Sequence, residues 1–183
     1  MGLRFPDQVN IHCFFVTTTF RGWERLGDIN GLYSAMADSL NYCIRKYDAK
    51  IAAYVLMPSH VHLLLFIEGS RLGGFMRDFK KYMAQKIIPD LISKRAQGHS
   101  PRSDRGLKTL RNYSKSNHSG FWKRSYDRVG IETMEVFRIK LDYIHNNPVK
   151  AGIADRPADW KWSSAADYFT DNPGVIPIHK DWS

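Results

Sequence analysis

The spacing of apolar positions changes several times along the chain, and each change marks an element. Residues 9–20 (VNIHCFFVTTTF) are rich in aromatic and β-branched side chains and predict a first strand. A loop covers 22–30. Over 31–47, Leu32, Met36, Leu40, Cys43, Ile44 and Tyr47 recur at helical spacing, which predicts an amphipathic helix lying on a sheet. Residues 52–68 (AAYVLMPSHVHLLLFIE) predict two strands joined at Met57-Pro58-Ser59, where proline ends a ladder and serine favours a turn. The second of these is densely apolar over 61–67, as suits a central strand covered on both faces. A second helix is predicted over about 72–88, with Phe75, Phe79, Met83 and Ile87 on its core side and Pro89 interrupting it. Residues 120–131 read as a fourth strand. Thr133 then caps a helix that reaches about residue 146, where Pro148 stops it. The tail carries Trp160 and Trp162, expected to pack on the core, and a helix-like SSAADY.

This order, β-α-β-β-α-β with an extra helix, predicts an α+β fold. It is ferredoxin-like: an antiparallel sheet with helices on one face and the first and third strands central. One domain is expected over 1–183, with a core of about 9–147 and a C-terminal tail of about 148–183.

Charge adds a partner to this picture. The 183 residues carry 27 Lys and Arg against 18 Asp and Glu, a formal +9, which predicts attraction to a polyanion such as nucleic acid. Residues 94–119 concentrate that charge, with seven Lys or Arg (94, 95, 102, 105, 108, 111, 115) and one acid, Asp104. They read as a basic insertion. Arg77, Lys80 and Lys81 on the second helix, with Arg124 and Lys140, are the candidates for DNA contact. Cys13 and Cys43 sit in apolar-periodic segments and read as reduced core thiols. The first residues lack a signal peptide's apolar core, and no apolar run approaches the ~20 residues of a membrane span. A soluble, cytoplasmic, nucleoid-associated protein is expected.

Two groups carry candidate chemistry. His60 and His62 open the third strand. Side chains alternate along a strand, so both imidazoles point the same way from Cα atoms about 6.6 Å apart, close enough to share one metal ion. On the helix from 133, at about 100° per residue, Met134, Phe137, Leu141 and Ile144 form the expected buried stripe. Val136, Lys140, Tyr143 and Asn147 lie on another arc, roughly opposite. Tyr143 and Asn147 are i and i+4, one above the other, and free to line a site.

Taken together, HVH at 60–62, FWKR at 121–124, LDYIHNNPVKAG at 141–152 and WKWSSAADY at 160–168 resemble the REP-associated tyrosine transposases. These are single-tyrosine members of the HUH nuclease superfamily, in which U is a bulky apolar residue, here Val61. The resemblance implies that Tyr143 is the nucleophile, that His60 and His62 are metal ligands and that Asn147 is a third. It also implies Mg2+ or Mn2+ as cofactor. The implied substrate is single-stranded DNA folded as a repetitive extragenic palindromic (REP-like) hairpin, cut through a 5′-phosphotyrosine; the sequence leaves both monomer and homodimer open.

Other readings are weaker on the residues. A non-catalytic ferredoxin-like nucleic-acid-binding protein needs exposed aromatics on the central strands, where this chain has histidines. A barrel metallohydrolase with HxH needs about 250 residues. An HNH-like reading of His145-Asn146-Asn147 competes with a simple helix stop before proline.

Overall fold

The computed structural model describes residues 10–26, 31–87 and 121–182. Its elements are β1 (Cys13–Thr19), α1 (Leu32–Tyr47), β2 (Lys50–Leu56), β3 (His60–Phe66), α2 (Gly69–Tyr82), β4 (Asp127–Gly130), α3 (Met134–Lys150) and a short α4 (Ala165–Phe169). The sheet order is β2-β3-β1-β4 with every neighbouring pair antiparallel, so the first and third strands are central as expected. Residues 94–119, the basic insertion, lie outside the described residues.

Both sheet faces are covered, and the strands alternate to serve them. Phe14, Val16, Leu63 and Leu65 pack under α1 and α2 with Leu32, Met36, Leu40, Phe75 and Phe79. Phe15, Ala53, Val55 and Leu64 face the other way, against Phe137 and Ile144 of α3. This two-sided burial is why 61–67 is apolar without alternation. α1 and α2 therefore share one face, while α3 closes the opposite one over the histidines.

Several boundaries differ from the sequence expectation. The first strand begins at Cys13 rather than at residue 9, leaving His12 exposed before it. The fourth strand is only four residues long, not the twelve of 120–131. Phe121 and Trp122 are consecutive yet both buried in one cluster, with Trp122 4.4 Å from Phe20 and 5.5 Å from Phe79 between ring centroids. Consecutive residues of a regular strand point to opposite faces, so this segment cannot hold a ladder. α2 starts at Gly69 rather than residue 72, and the chain continues past Tyr82 in a wider π turn over Met83–Ile87.

Thr133 caps α3 as expected, its hydroxyl accepting from Val136 N–H at 3.2 Å. The predicted stop does not occur: α3 runs through Pro148 to Lys150. Pro148 is buried, and Ala151 N–H donates to Asn147 O at 3.0 Å beyond it. Burial of the proline ring offsets one missing helical hydrogen bond. The stripe also shifts. Met134 is 39% exposed, whereas His145, absent from the predicted stripe, is buried beside Ile144.

His145 fastens α3 to the tail. Its Nε2 lies 3.0 Å from Ser164 Oγ, and that oxygen accepts from Tyr54 N–H of β2 at 3.0 Å. Around it, Trp160 donates from Nε1 to Leu56 O and Tyr168 donates to Ala52 O, so both tail aromatics brace β2. Trp162 stacks on Tyr33 at 5.2 Å and packs on the core. The cysteines are free and buried, and burial pushes both thiols up to about 12.

Burial lowers the His145 pKa to about 4, well under the ordinary value for histidine. The unfolded chain then binds a proton at a pH where the folded chain does not, so stability must fall as pH drops from about 6.5 toward 4. The share from this residue is up to about 3 kcal/mol. Urea midpoints taken across that window should decline, and the decline should be shallower in His145→Gln.

Candidate active site

The pleat aims His60 and His62 at the face that α3 covers, and their ring centroids stand 4.7 Å apart. Each Nδ1 is engaged. Thr17, which pairs with His62 across β1 and β3, places its Oγ1 2.8 Å from His62 Nδ1. Ser59 places its Oγ 3.0 Å from His60 Nδ1. The Nε2 atom of His62 is buried with no hydrogen-bond partner.

Electrostatics keeps both rings neutral. Burial lowers the His60 pKa, opposed in part by a hydrogen bond between its ring and the Asn147 side chain. Burial, reinforced by His60 and Lys140, lowers His62 to about 3. Neutral imidazoles offer lone pairs at pH 7, which is the condition for ligating a metal.

α3 supplies the rest. The arc of Val136, Lys140, Tyr143 and Asn147 lies beside the buried stripe rather than opposite it, so it reaches the strand histidines. The Tyr143 ring, 39% exposed, meets His62 edge-on at 5.2 Å and Phe15 at 5.8 Å. Lys150 Nζ lies 5.7 Å from the centre of the Tyr143 ring, and Lys140 Nζ lies 4.7 Å over the Phe15 ring that Tyr143 packs against. Because α3 does not break at Pro148, Asn147 stays in helical register with Tyr143 and touches His60.

Five predicted residues therefore meet at one place: His60, His62, Lys140, Tyr143 and Asn147. Among the described residues, no group of three or more His, Cys, Asp or Glu side chains is arranged to hold a metal. An ion here would rest on two imidazoles and the Asn147 amide oxygen. The orphaned His62 Nε2 and the neutral rings fit that role.

The other four predicted DNA-binding residues gather elsewhere. Arg77, Lys80, Lys81 and Arg124 line a pocket of about 420 Å³ between α2 and residues 122–126, with Trp122 and Tyr126 on its wall. Lys80 is committed to structure: Nζ donates to the carbonyls of Lys123 (2.9 Å), Arg124 (3.4 Å) and Ser125 (3.0 Å). An ammonium has three protons, so all are used. If the expected DNA contact is made here, Arg124→Ala with Lys81→Ala lowers the salt slope of binding by about one unit for each phosphate deprived of its cation. Lys80→Ala should instead destabilise the fold by about 1–3 kcal/mol, readable as a lower melting temperature.

Sequence reasoning missed Thr17, Ser59, Phe15, Lys150 and the His145–Ser164 contact. Ser59 was visible as the neighbour of His60. Thr17 depends on strand register, which no local pattern states.

No protein-family model matches the chain. It is similar to a Haemophilus influenzae protein provisionally named a REP-associated tyrosine transposase, with 27% identity over 118 residues. That stretch is 64% of this chain and 60% of the relative, so the chain spans about three-fifths of the length of the protein it matches. Among solved structures it is similar to a REP-associated tyrosine transposase bound to a REP hairpin. The TM-score is 0.64 at 18% identity, covering 100% of this chain and 94% of the other. A provisionally named Deinococcus radiodurans transposase aligns at a TM-score of 0.45 and 16% identity, over 80% of this chain and 95% of that one, too distantly to carry an argument. The chain thus resembles the REP-associated tyrosine transposases, in sequence over 118 residues and in fold.

Proposed function

We propose that this chain is a metal-dependent single-stranded DNA endonuclease and strand transferase that cuts beside REP-like hairpins through a 5′-phosphotyrosine. The observation that carries the reading is the meeting of Tyr143 with His62, whose buried Nε2 is unpartnered, while Asn147 on the same helix touches His60.

In this reading His60, His62 and Asn147 hold Mg2+ or Mn2+, which supplies charge compensation and orientation for the scissile phosphate. Tyr143 Oη attacks phosphorus, and the bond from phosphorus to the 3′ oxygen breaks. The phenol loses its proton and the departing 3′ oxygen gains one, so the step is a transesterification that consumes no water. The phosphate remains on the tyrosine, and attack by another strand's 3′-hydroxyl reverses the step and joins the strands. Lys150, beside the phenol, and Lys140, over the neighbouring Phe15 ring, offset phosphate charge. Arg77, Lys81 and Arg124 line a second basic surface between α2 and residues 122–126, suited to phosphates of the hairpin.

A non-catalytic binding module would use an open sheet as a platform for bases. Both faces of this sheet are covered, which favours the catalytic reading. The test is incubation with hairpin-bearing single-stranded DNA and either Mg2+ or Mn2+, followed by denaturing electrophoresis. A protein–DNA adduct that appears only with the metal is expected. Hairpin binding without cleavage under both metals would leave the binding module in its place.

A further inference from the structure

Trp23 is 61% exposed, the second largest exposure among the large hydrophobic side chains described, and it stands beside the histidine pair. Its ring meets His60 edge-on at 5.6 Å. It ends a three-residue 3-10 turn (Arg21–Trp23) after β1, with φ +57°, a left-handed conformation that bulky side chains rarely adopt. The turn is nonetheless well tied. Phe20 N–H donates to Ser59 O at 2.9 Å, Arg21 N–H to Phe121 O at 2.7 Å and Trp23 N–H to Phe20 O at 3.1 Å. Ser59 is also the residue whose hydroxyl meets His60 Nδ1. One residue therefore fixes both the histidine and the turn that presents the indole.

Water contact on a large indole and an unfavourable φ both oppose folding, and unfavourable backbone conformations that persist cluster at ligand sites. The indole flanks the histidine pair, and exposed Arg21 shares its turn. We infer that Trp23 is a stacking platform for one unpaired nucleobase of single-stranded DNA next to the scissile phosphate. Every base has a π face, so the contact holds a base in place without choosing which one. This inference rests on the DNA-cleaving reading of the site.

The test is a cycle of protein and DNA changes on the full chain. An abasic residue is walked through the nucleotides on either side of the cut, and binding is measured for wild type, Trp23→Ala, Trp23→Phe and Trp23→Gly. Trp23→Gly tolerates the left-handed φ and so separates loss of the indole from backbone strain. On intact DNA, Trp23→Ala and Trp23→Gly should each bind roughly 5- to 150-fold more weakly, with Trp23→Phe recovering most of the loss. At one position the abasic change should weaken wild type by a similar factor and cost Trp23→Ala nothing more. Unchanged binding by Trp23→Ala, a loss that phenylalanine does not reduce, or a loss that is the same at every abasic position would overturn the inference. If wild type cuts the DNA in any of these cases, only the platform falls. If wild type neither binds nor cuts single-stranded DNA, the functional reading falls and the platform with it.

Discussion

Tyr143→Phe should bind the hairpin about as well as wild type and never become attached to it. The substitution removes one oxygen from a ring that keeps its packing against His62 and Phe15. The fold should therefore be unchanged within about 0.5 kcal/mol. Cleavage should drop below detection, because a nucleophile that forms the covalent bond has no substitute. The check is DNA labelled on the 5′ side of the downstream fragment, with peptide mapping of the wild-type adduct. The label should reside on the peptide that holds Tyr143. Tyr82, Tyr113 and Tyr126 also occur in basic stretches of the sequence, and an adduct on any of them would refute the assignment. So would cleavage that leaves no adduct.

The second large effect is expected at the histidines. His60→Ala with His62→Ala should lower cleavage by at least about a thousandfold, since both proposed strand ligands are gone. A readout separate from activity exists. An ion that binds only the folded chain raises its stability, by about 2.7 kcal/mol when present at a hundred times its dissociation constant. Wild type should melt higher with Mn2+ present, and the double variant should show no such shift. Removing His62 also strips Thr17 Oγ1 of its partner, so that variant without metal should lose about 1–3 kcal/mol. A double variant that still gains stability from the ion, or cuts at the wild-type rate, would show that the metal binds elsewhere.

Much of this site could be seen in the letters, because two of its spacings are short. His60 and His62 are two apart and Tyr143 and Asn147 four apart, and strand and helix periods turn those intervals into shared faces. What brings the two pairs together is not local. It depends on α3 crossing the sheet face opposite α1 and α2, which follows from long-range packing of Phe137 and Ile144 against Phe15 and Leu64. The proline rule failed at 148 for a related reason. Local conformational preference argues for a stop there, whereas a buried docking surface rewards continuation. Lys80 looks like an exposed cation in the sequence, and only the course of residues 123–125 reveals its three carbonyl partners. Trp23 lay in a segment read as loop, where no period says which side chain is left facing the histidines.

The tail has a consequence for how this protein behaves in crowded solution. β2 is an edge strand, and an open edge is a template on which another chain can add a strand. Here residues 160–182 occupy that edge. Leu56 N–H donates to Trp162 O at 2.8 Å, Val55 bridges to Ser163, and Ile51 O accepts from His179 N–H at 2.7 Å. The far edge is β4, too short to offer much of a template. The segment that steadies α3 through Ser164 is thus also a guard against self-association. Losing it would uncover a seven-residue edge strand, apolar in all but Lys50, and favour aggregation.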